Sequence, residues 1–240
     1  MTPSPRLAGR VALITGASRG LGAAIARRYA AEGAHVVLMA RTQGALEEVD
    51  DQIRAAGGTA TLLPFDLRHA DELEKVGPAL YQRFGRLDIL VGAAAMLGGL
   101  SPVGHYTIKD WNNVMAVNVT ANWRLIRTFD LLLRQSDAGR AIFVTCDMAR
   151  SATPYWGAYA ASKAALEQMA LTWAAEVGRT TALRVNLVDP GIMATRLRAE
   201  AFPGEEASQH PSPDLLTDPF VTLASPDHQG NGEILRRAEG

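Results

Sequence analysis

Apolar and polar positions along this chain follow a repeated beat. Short unbroken apolar runs, each closed by glycine or a polar turn, alternate with longer segments of helical character. "RVALIT" (10–15), "HVVLMA" (35–40), "TATLLPF" (59–65), "DILVGAA" (88–94), "AIFVT" (141–145) and "ALRVNLV" (182–188) read as strands. Their continuous apolar character predicts cover on both faces. The intervening segments, about 21–32, 43–56, 70–84, 110–136 and 159–178, read as helices, several stopped by glycine. A short helix near 214–224 and a weak strand at 233–236 close the pattern. Strand–helix alternation of this kind demands right-handed crossovers, so the expected fold is α/β: one domain over 1–240, a doubly wound parallel sheet with helices on both faces. Residues 1–8 are expected to be flexible. The stretch 190–213 breaks the rhythm and is longer than ordinary connections, which marks it as a candidate substrate lid.

The first strand-to-helix turn reads "TGASRGLG", residues 15–22. Glycines at 16, 20 and 22 permit a tight turn and a close backbone approach, and the helix N-terminus offers partial positive charge. After a buried strand and before a helix, this pattern fits a pyrophosphate, with Gly16, Ser18, Arg19, Gly20, Leu21 and Gly22 around it, and makes the sheet Rossmann-type. The plain alternative is a glycine-rich turn with no ligand. A carboxylate ending the second strand would hold the ribose hydroxyl of NAD. That end reads Met39-Ala40-Arg41 instead. Guanidiniums at Arg19 and Arg41 suit a 2′-phosphate, hence NADP(H), unless both are simply solvated.

Tyr159 and Lys163 stand at i and i+4 and share a helix face. Bringing a phenol from its reference pKa near 10 towards neutrality takes roughly 4 kcal/mol for about 3 units, which an ammonium in a dry cleft helps to supply. Alone, such a pair reads as a tyrosine packed on a lysine stem. Here the glycine turn, Asp66, Asn118 in "VMAVNVT", "YAASK" and "DPGIMAT" follow in order. Together, over about residues 8–224, they resemble the short-chain dehydrogenase/reductase family in its compact single-domain branch. "LLLRQSDAG", "WGAYAASK" and "RAEAFP" are further similar to a YciK-like subgroup, a likeness that fixes no substrate. The resemblance implies Tyr159 as general acid or base and Lys163 as ligand of the nicotinamide ribose and modulator of Tyr159. It implies Asn118 as holder of a proton-relaying water, and Asp66 with the Leu67 backbone at the adenine. It places Ala93, Ala94 and Ala95 beside the cofactor, and Pro190, Gly191, Met193 and Thr195 at the carboxamide. Each has a bland alternative: Asn118 satisfied by backbone, Asp66 capping the next helix, Thr195 an ordinary loop residue.

Two departures from the family's pattern stand out. Gly92-Ala93-Ala94-Ala95 occupies the place of an Asn-Asn-Ala-Gly run, so side-chain amides are lost and a methyl is added near the cofactor path. Cys146, the only cysteine, stands thirteen residues before Tyr159, where the family has its catalytic serine. A thiol is the weaker donor. Thr145 points to the opposite strand face and Ser151 lies on the following loop. Proximity to Lys163 would lower the thiol's pKa and make it partly thiolate; the bland reading is an inert small residue.

Composition trims the options. A net charge of −1 with 48% hydrophobic and 20% charged residues gives no support for nucleic acid or a membrane surface as partner. The longest apolar run is too short for the roughly 20 residues a bilayer span needs. One cysteine permits no internal disulfide and no cysteine zinc site, and no metal is expected; a cytoplasmic setting is favoured. The expected activity is an NADP(H)-dependent carbonyl reductase, or alcohol dehydrogenase in reverse, on a small apolar substrate. Met96, Leu97, Met148, Tyr155, Trp156, Met193 and Phe202 are expected around the cleft. The resemblance implies a homodimer or homotetramer, through helices 110–136 and 159–178. A catalytically weak NADP(H)-binding sensor or scaffold is the rival reading. A sugar-nucleotide epimerase fits poorly, because no substrate-sized C-terminal portion remains.

Overall fold

The computed structural model describes residues 5–237. Among them, seven strands form one parallel sheet in the order β3-β2-β1-β4-β5-β6-β7. These are β1 (Val11–Thr15), β2 (His35–Ala40), β3 (Thr59–Pro64), β4 (Ile89–Gly92), β5 (Arg140–Val144), β6 (Arg184–Asp189) and β7 (Ile234–Arg236). The chain leaves β1 for β2 and β3 on one side and returns to start β4 on the other. That reversal opens a crevice past the carboxyl ends of β1 and β4, the place where such sheets bind ligands.

The helices are α1 (Gly20–Ala31), α2 (Gln43–Ala55), α3 (Val76–Phe84), α4 (Ile108–Met115), α5 (Ala121–Gln135), α6 (Gly157–Val177), α7 (Arg196–Ala201) and α8 (Asp218–Ala224). Alternate strand residues feed two cores. Ala12 and Ile14 pack with Ile25 and Tyr29 of α1, Leu46 and Ile53 of α2, and Phe220 of α8. Val11 and Leu13 pack with Leu80 of α3, Leu125 and Phe129 of α5, and Leu166 and Trp173 of α6. Each fully buried side chain of this size stabilises the fold by about 1.5–3 kcal/mol. The buried hydroxyl of Tyr29 donates to the Phe220 carbonyl at 2.9 Å, which ties α1 to α8.

Several expectations change in detail. The helix expected over 110–136 is α4 and α5 joined by a π turn, Ala116–Thr120. The segment expected from 70 begins as a 3-10 helix at Leu67, capped by Asp66, whose carboxylate accepts from the Arg68 amide at 2.9 Å. Of residues 1–8, the first four lie outside the described residues. The rest are anchored: Leu7 is fully buried and its amide donates to the Glu32 carbonyl. The stretch 190–213 contains α7 and packs onto the sheet's carboxyl end, with Met193 and Ala201 buried.

Candidate active site

Every residue expected at the site or around the cleft, except Asn118 and Tyr155, lines one cleft of about 1230 Å³ at the carboxyl ends of the strands. At one end lies the turn between β1 and α1. A Cβ on Gly22 would stand 2.3 Å from the Gly16 carbonyl oxygen, and one on Gly16 would stand 2.9 Å from the Ala94 Cα. Only glycine fits either place, and Gly16 also has φ of +67°. Arg19 is the N-cap of α1 and makes no side-chain cap bond, so the first amides of the helix remain free for an anion. Arg19 and Arg41 are both exposed and line this end. Asp66 lies beside them, its pKa held down chiefly by the Arg68 guanidinium, with Arg41 adding to the effect. The cradle and the free amides fit the diphosphate of a dinucleotide, and the two guanidiniums beside them suit a further phosphate group.

The loop after β4 shows how the chain manages without the missing amides. A side chain at Gly92 would meet the Phe143 ring at 2.5 Å and Asn122 Oδ1 at 2.7 Å. Thr15 Oγ1 takes over part of the holding, accepting from the Ala93 and Ala94 amides, each at 3.1 Å. Ala95 is exposed to the cleft.

Asn118 does the rest from behind. It is fully buried in the π turn. Its Oδ1 accepts from the Met96 amide at 2.8 Å, and its Nδ2 donates to the Met96 carbonyl and to Ser162 Oγ, each at 2.9 Å. The side chain therefore clips the loop to α6 and does not face the cleft. Its backbone carbonyl accepts from Asn122 Nδ2 at 2.9 Å.

The other end of the cleft is built on α6, whose stripe Tyr159, Lys163, Leu166, Glu167, Ala170, Trp173 is buried. The apolar half meets the sheet; the polar half meets the strand ends. Tyr159 is 7% exposed and Lys163 is 2% exposed. Lys163 Nζ donates to the Val144 carbonyl at 2.9 Å and lies 5.6 Å from the centre of the Tyr159 ring. Burial pulls the Lys163 pKa down, against Cys146, Glu167 and Asp189, which raise it. Burial pushes Tyr159 well above the usual phenol range, and Cys146, its hydrogen-bonding neighbour, pushes the same way.

Cys146 lies in this cluster with Tyr159, Trp156, Leu97 and Phe202. The expectation of a partly ionised thiol does not hold. Burial raises its pKa by more than Lys163 lowers it, and Asp189 and Asp147 raise it further. Thr145 is no substitute donor, since its hydroxyl is committed to Glu167 Oε1 at 2.5 Å. Ser151 stays on its loop beside Thr153 and Met148. Trp156 packs against Tyr159 and Phe202, at 5.7 and 5.8 Å between ring centres. Met96, Leu97, Met148, Met193 and Phe202 also line the cleft. Tyr155 does not: it is 57% exposed, with a left-handed φ of 73°. Its carbonyl accepts from Tyr106 Oη at 2.7 Å, so its place is in the loop scaffold.

Pro190, Gly191, Met193 and Thr195 follow β6 along the cleft. Thr195 also caps α7, accepting from the Arg198 amide at 3.2 Å.

A protein-family model described as short chain dehydrogenase matches residues 10–206. The chain belongs to the short-chain dehydrogenase/reductase family. As a member it is an oxidoreductase of a family that uses nicotinamide cofactors. It is 33% identical to the oxidoreductase YciK of Escherichia coli K12, over 91% of this chain and 87% of that one. This agrees with the subgroup likeness read from the sequence. A short chain dehydrogenase structure from Pseudomonas syringae superposes with a TM-score of 0.95 at 38% identity, covering 98% of this chain and 97% of that one. One from Escherichia coli CFT073, complexed with NADPH, gives 0.92 at 32%, covering 98% and 99%. Among the described residues no helix is long and apolar enough to cross a membrane, and no group of three or more His, Cys, Asp or Glu is placed to hold a metal.

Sequence reasoning missed Arg150, Glu167 and Asp189, which interlock under the Tyr159–Lys163 pair. Glu167 stands at i+4 from Lys163 and Asp189 abuts Pro190, so both carried a positional hint; Arg150 carried none.

Proposed function

We propose that this protein is an NADP(H)-dependent oxidoreductase acting on a carbonyl or alcohol of a small, apolar substrate. The observation that carries this reading is the convergence of Tyr159, Lys163 and Cys146 at one end of a cleft whose other end holds the glycine turn, Arg19 and Arg41. The absence of a carboxylate at the end of β2, and two guanidiniums in its place, favour the 2′-phosphate of NADP(H). When bound, the nicotinamide supplies or takes up the hydride. Lys163 would hold its ribose; Asp66 and the Leu67 backbone would meet the adenine; Ala93, Ala94 and Ala95 would flank the middle; Pro190, Gly191, Met193 and Thr195 would fix the carboxamide. Tyr159 would give a proton to the carbonyl oxygen during reduction and take one during oxidation, with Cys146 as a second, weaker donor. The Asn118 amide is spent on Met96 and Ser162, so a relaying water would have to share its backbone carbonyl, which has a second lone pair beside the one that accepts from Asn122 Nδ2. Leu97, Met148, Trp156 and Phe202 give the substrate end an apolar, partly aromatic wall.

The Cys146 thiol and the Gly92–Ala95 run favour a second reading, a weakly catalytic NADP(H)-binding sensor of the same fold. Oxidation of NADPH and NADH with a panel of quinones, aldehydes and ketones separates the two. The first reading expects turnover preferring NADPH and a fall of at least about 10²-fold in Tyr159→Phe with nucleotide binding kept. Binding without turnover across the panel sinks the first reading, and turnover surviving Tyr159→Phe sinks its mechanism. We propose a homodimer or homotetramer joined through α4, α5 and α6, with Trp123 and Leu131 of α5 standing exposed.

A further inference from the structure

Beneath the Tyr159–Lys163 pair lies a set of charges with no role so far. Glu167, one turn after Lys163 on α6, and Asp189, the last residue of β6, are both buried carboxylates. One ammonium, that of Lys163, faces the two of them. Two buried anions against one cation would leave a net negative cluster in a poorly solvated place, which is costly and repels any further anion nearby. Arg150, on the loop between Cys146 and α6, removes the imbalance. One arm of its guanidinium pairs with Glu167 Oε1, and the other donates to Asp189 Oδ2 at 2.7 Å. The remaining Asp189 oxygen accepts from the Gly191 amide at 3.2 Å, which holds the turn that opens the 190–195 segment. Two cations now face two anions. A planar fork can reach two carboxylates on different elements at once.

We propose that Arg150 is a positioning residue for the Tyr159–Lys163 pair. By neutralising Glu167 and Asp189 it leaves the Lys163 charge to act on the phenol, and through Asp189 it fixes the Gly191 turn against α6. Loss of this cation disfavours any anion in the cluster, the Tyr159 phenolate and the Cys146 thiolate alike. The other charged groups do not take its place. Asp147 lies on the same loop and is an anion. On the α7 side Arg196 pairs with Glu200, and Arg198 and His210 both engage Glu205. Arg236 and Arg237 line the cleft from the end of β7, with Arg237 near Gly191, but among the described residues only Arg150 forms an ion pair with Glu167 or Asp189.

The kinetic consequence rests on the hydride-transfer reading above; the first test does not. Cys146 is the only cysteine, so its alkylation by iodoacetamide at fixed pH reports the thiolate fraction beside Tyr159. Arg150→Gln is expected to slow alkylation about tenfold at pH 8, equal to a shift of roughly one pH unit. Arg150→Lys keeps the charge and should stay near the parent rate. Glu167→Gln should quicken alkylation, and Arg150→Gln/Glu167→Gln should return towards the parent. An unchanged or faster rate in folded Arg150→Gln overturns the proposal. So does a Glu167→Gln variant no faster than the parent, which keeps the test decisive should Arg150→Gln not fold. Where turnover is measured, the pH profile of alcohol oxidation should move to higher pH by about the same amount in Arg150→Gln. Alkylation that moves as expected in a protein without turnover would count against the hydride-transfer reading and leave the charge balance standing.

Discussion

Cys146 is the residue at which this chain parts most clearly from its family's chemistry. Its thiol stands against the Tyr159 phenol in a buried apolar cluster. Burial holds it protonated, with the Lys163 ammonium too weak a counterweight. A protonated thiol is still a donor, but a poorer one than a hydroxyl. Removing an oxyanion donor outright costs roughly 10²–10³ in rate, so exchanging a hydroxyl for a thiol costs less. Cys146→Ser is therefore expected to turn over at least as fast as the parent, with a gain of up to about tenfold in kcat. Initial rates at matched NADPH concentration check this; a clear drop would show that the sulfur has a positive role. The thiol also adds no titration step at neutral pH, because its pKa moves up and away from that range. The position of Cys146 was legible from its spacing to Tyr159. The direction of its pKa was not, because burial by Trp156, Leu97 and Phe202 comes from three separated segments.

At the scale of the element, the turn between α4 and α5 carries more than its length suggests. A π turn adds one residue to the helical circuit and is often kept where a side chain must be aimed. Here it buries Asn118, whose amide satisfies both backbone groups of Met96 and reaches Ser162 of α6. Asn118→Ala would leave the Met96 amide without its acceptor and open the link between the loop after β4 and α6. The expected cost is about 1–3 kcal/mol. A lower midpoint in urea with an unchanged slope would show it, while a midpoint equal to the parent's would mean that the loop is held by Thr15 alone. The sequence pattern reads straight through this turn as one helix over 110–136, because the apolar face continues on both sides of it. The short α7 was hidden for a different reason: its six residues, bounded by Thr195 and Phe202, give too few turns for a period to register. By contrast α6 and the five inner strands are plain in the pattern, since each is long or apolar enough to be covered on a whole face.

For the molecule as a whole, strand–helix alternation and handedness yield a parallel sheet covered on both faces, while the order β3-β2-β1-β4-β5-β6-β7 and the crevice at its reversal come from the structure. What the pattern does not contain is the charge network that sets response to pH. His35 opens β2 with its ring 5.0 Å from that of Phe84 and its nitrogens hydrogen-bonded to Thr59 and Thr61 across to β3. Burial lowers its pKa below 6.5, and the Arg83 guanidinium lowers it further, against a smaller opposing effect of Asp50. Protons therefore bind the unfolded chain first, so the contribution of His35 to stability is full above pH 6.5 and is lost as pH falls through its folded value. Glu32, Asp66 and Asp214 have lowered pKa values, Glu32 through the Arg6 backbone amide and then the Arg28 guanidinium, Asp66 through the Arg68 guanidinium and Asp214 through that of Arg27. Their contribution is present above about pH 4.5 and is lost below it. The melting temperature is thus expected to fall in two stages on acidification. His35→Gln, which can still hydrogen-bond one threonine, should flatten the stage between pH 7 and 5 and leave the lower stage in place. If the variant loses as much melting temperature as the parent between pH 7 and 5, the upper stage does not come from this histidine.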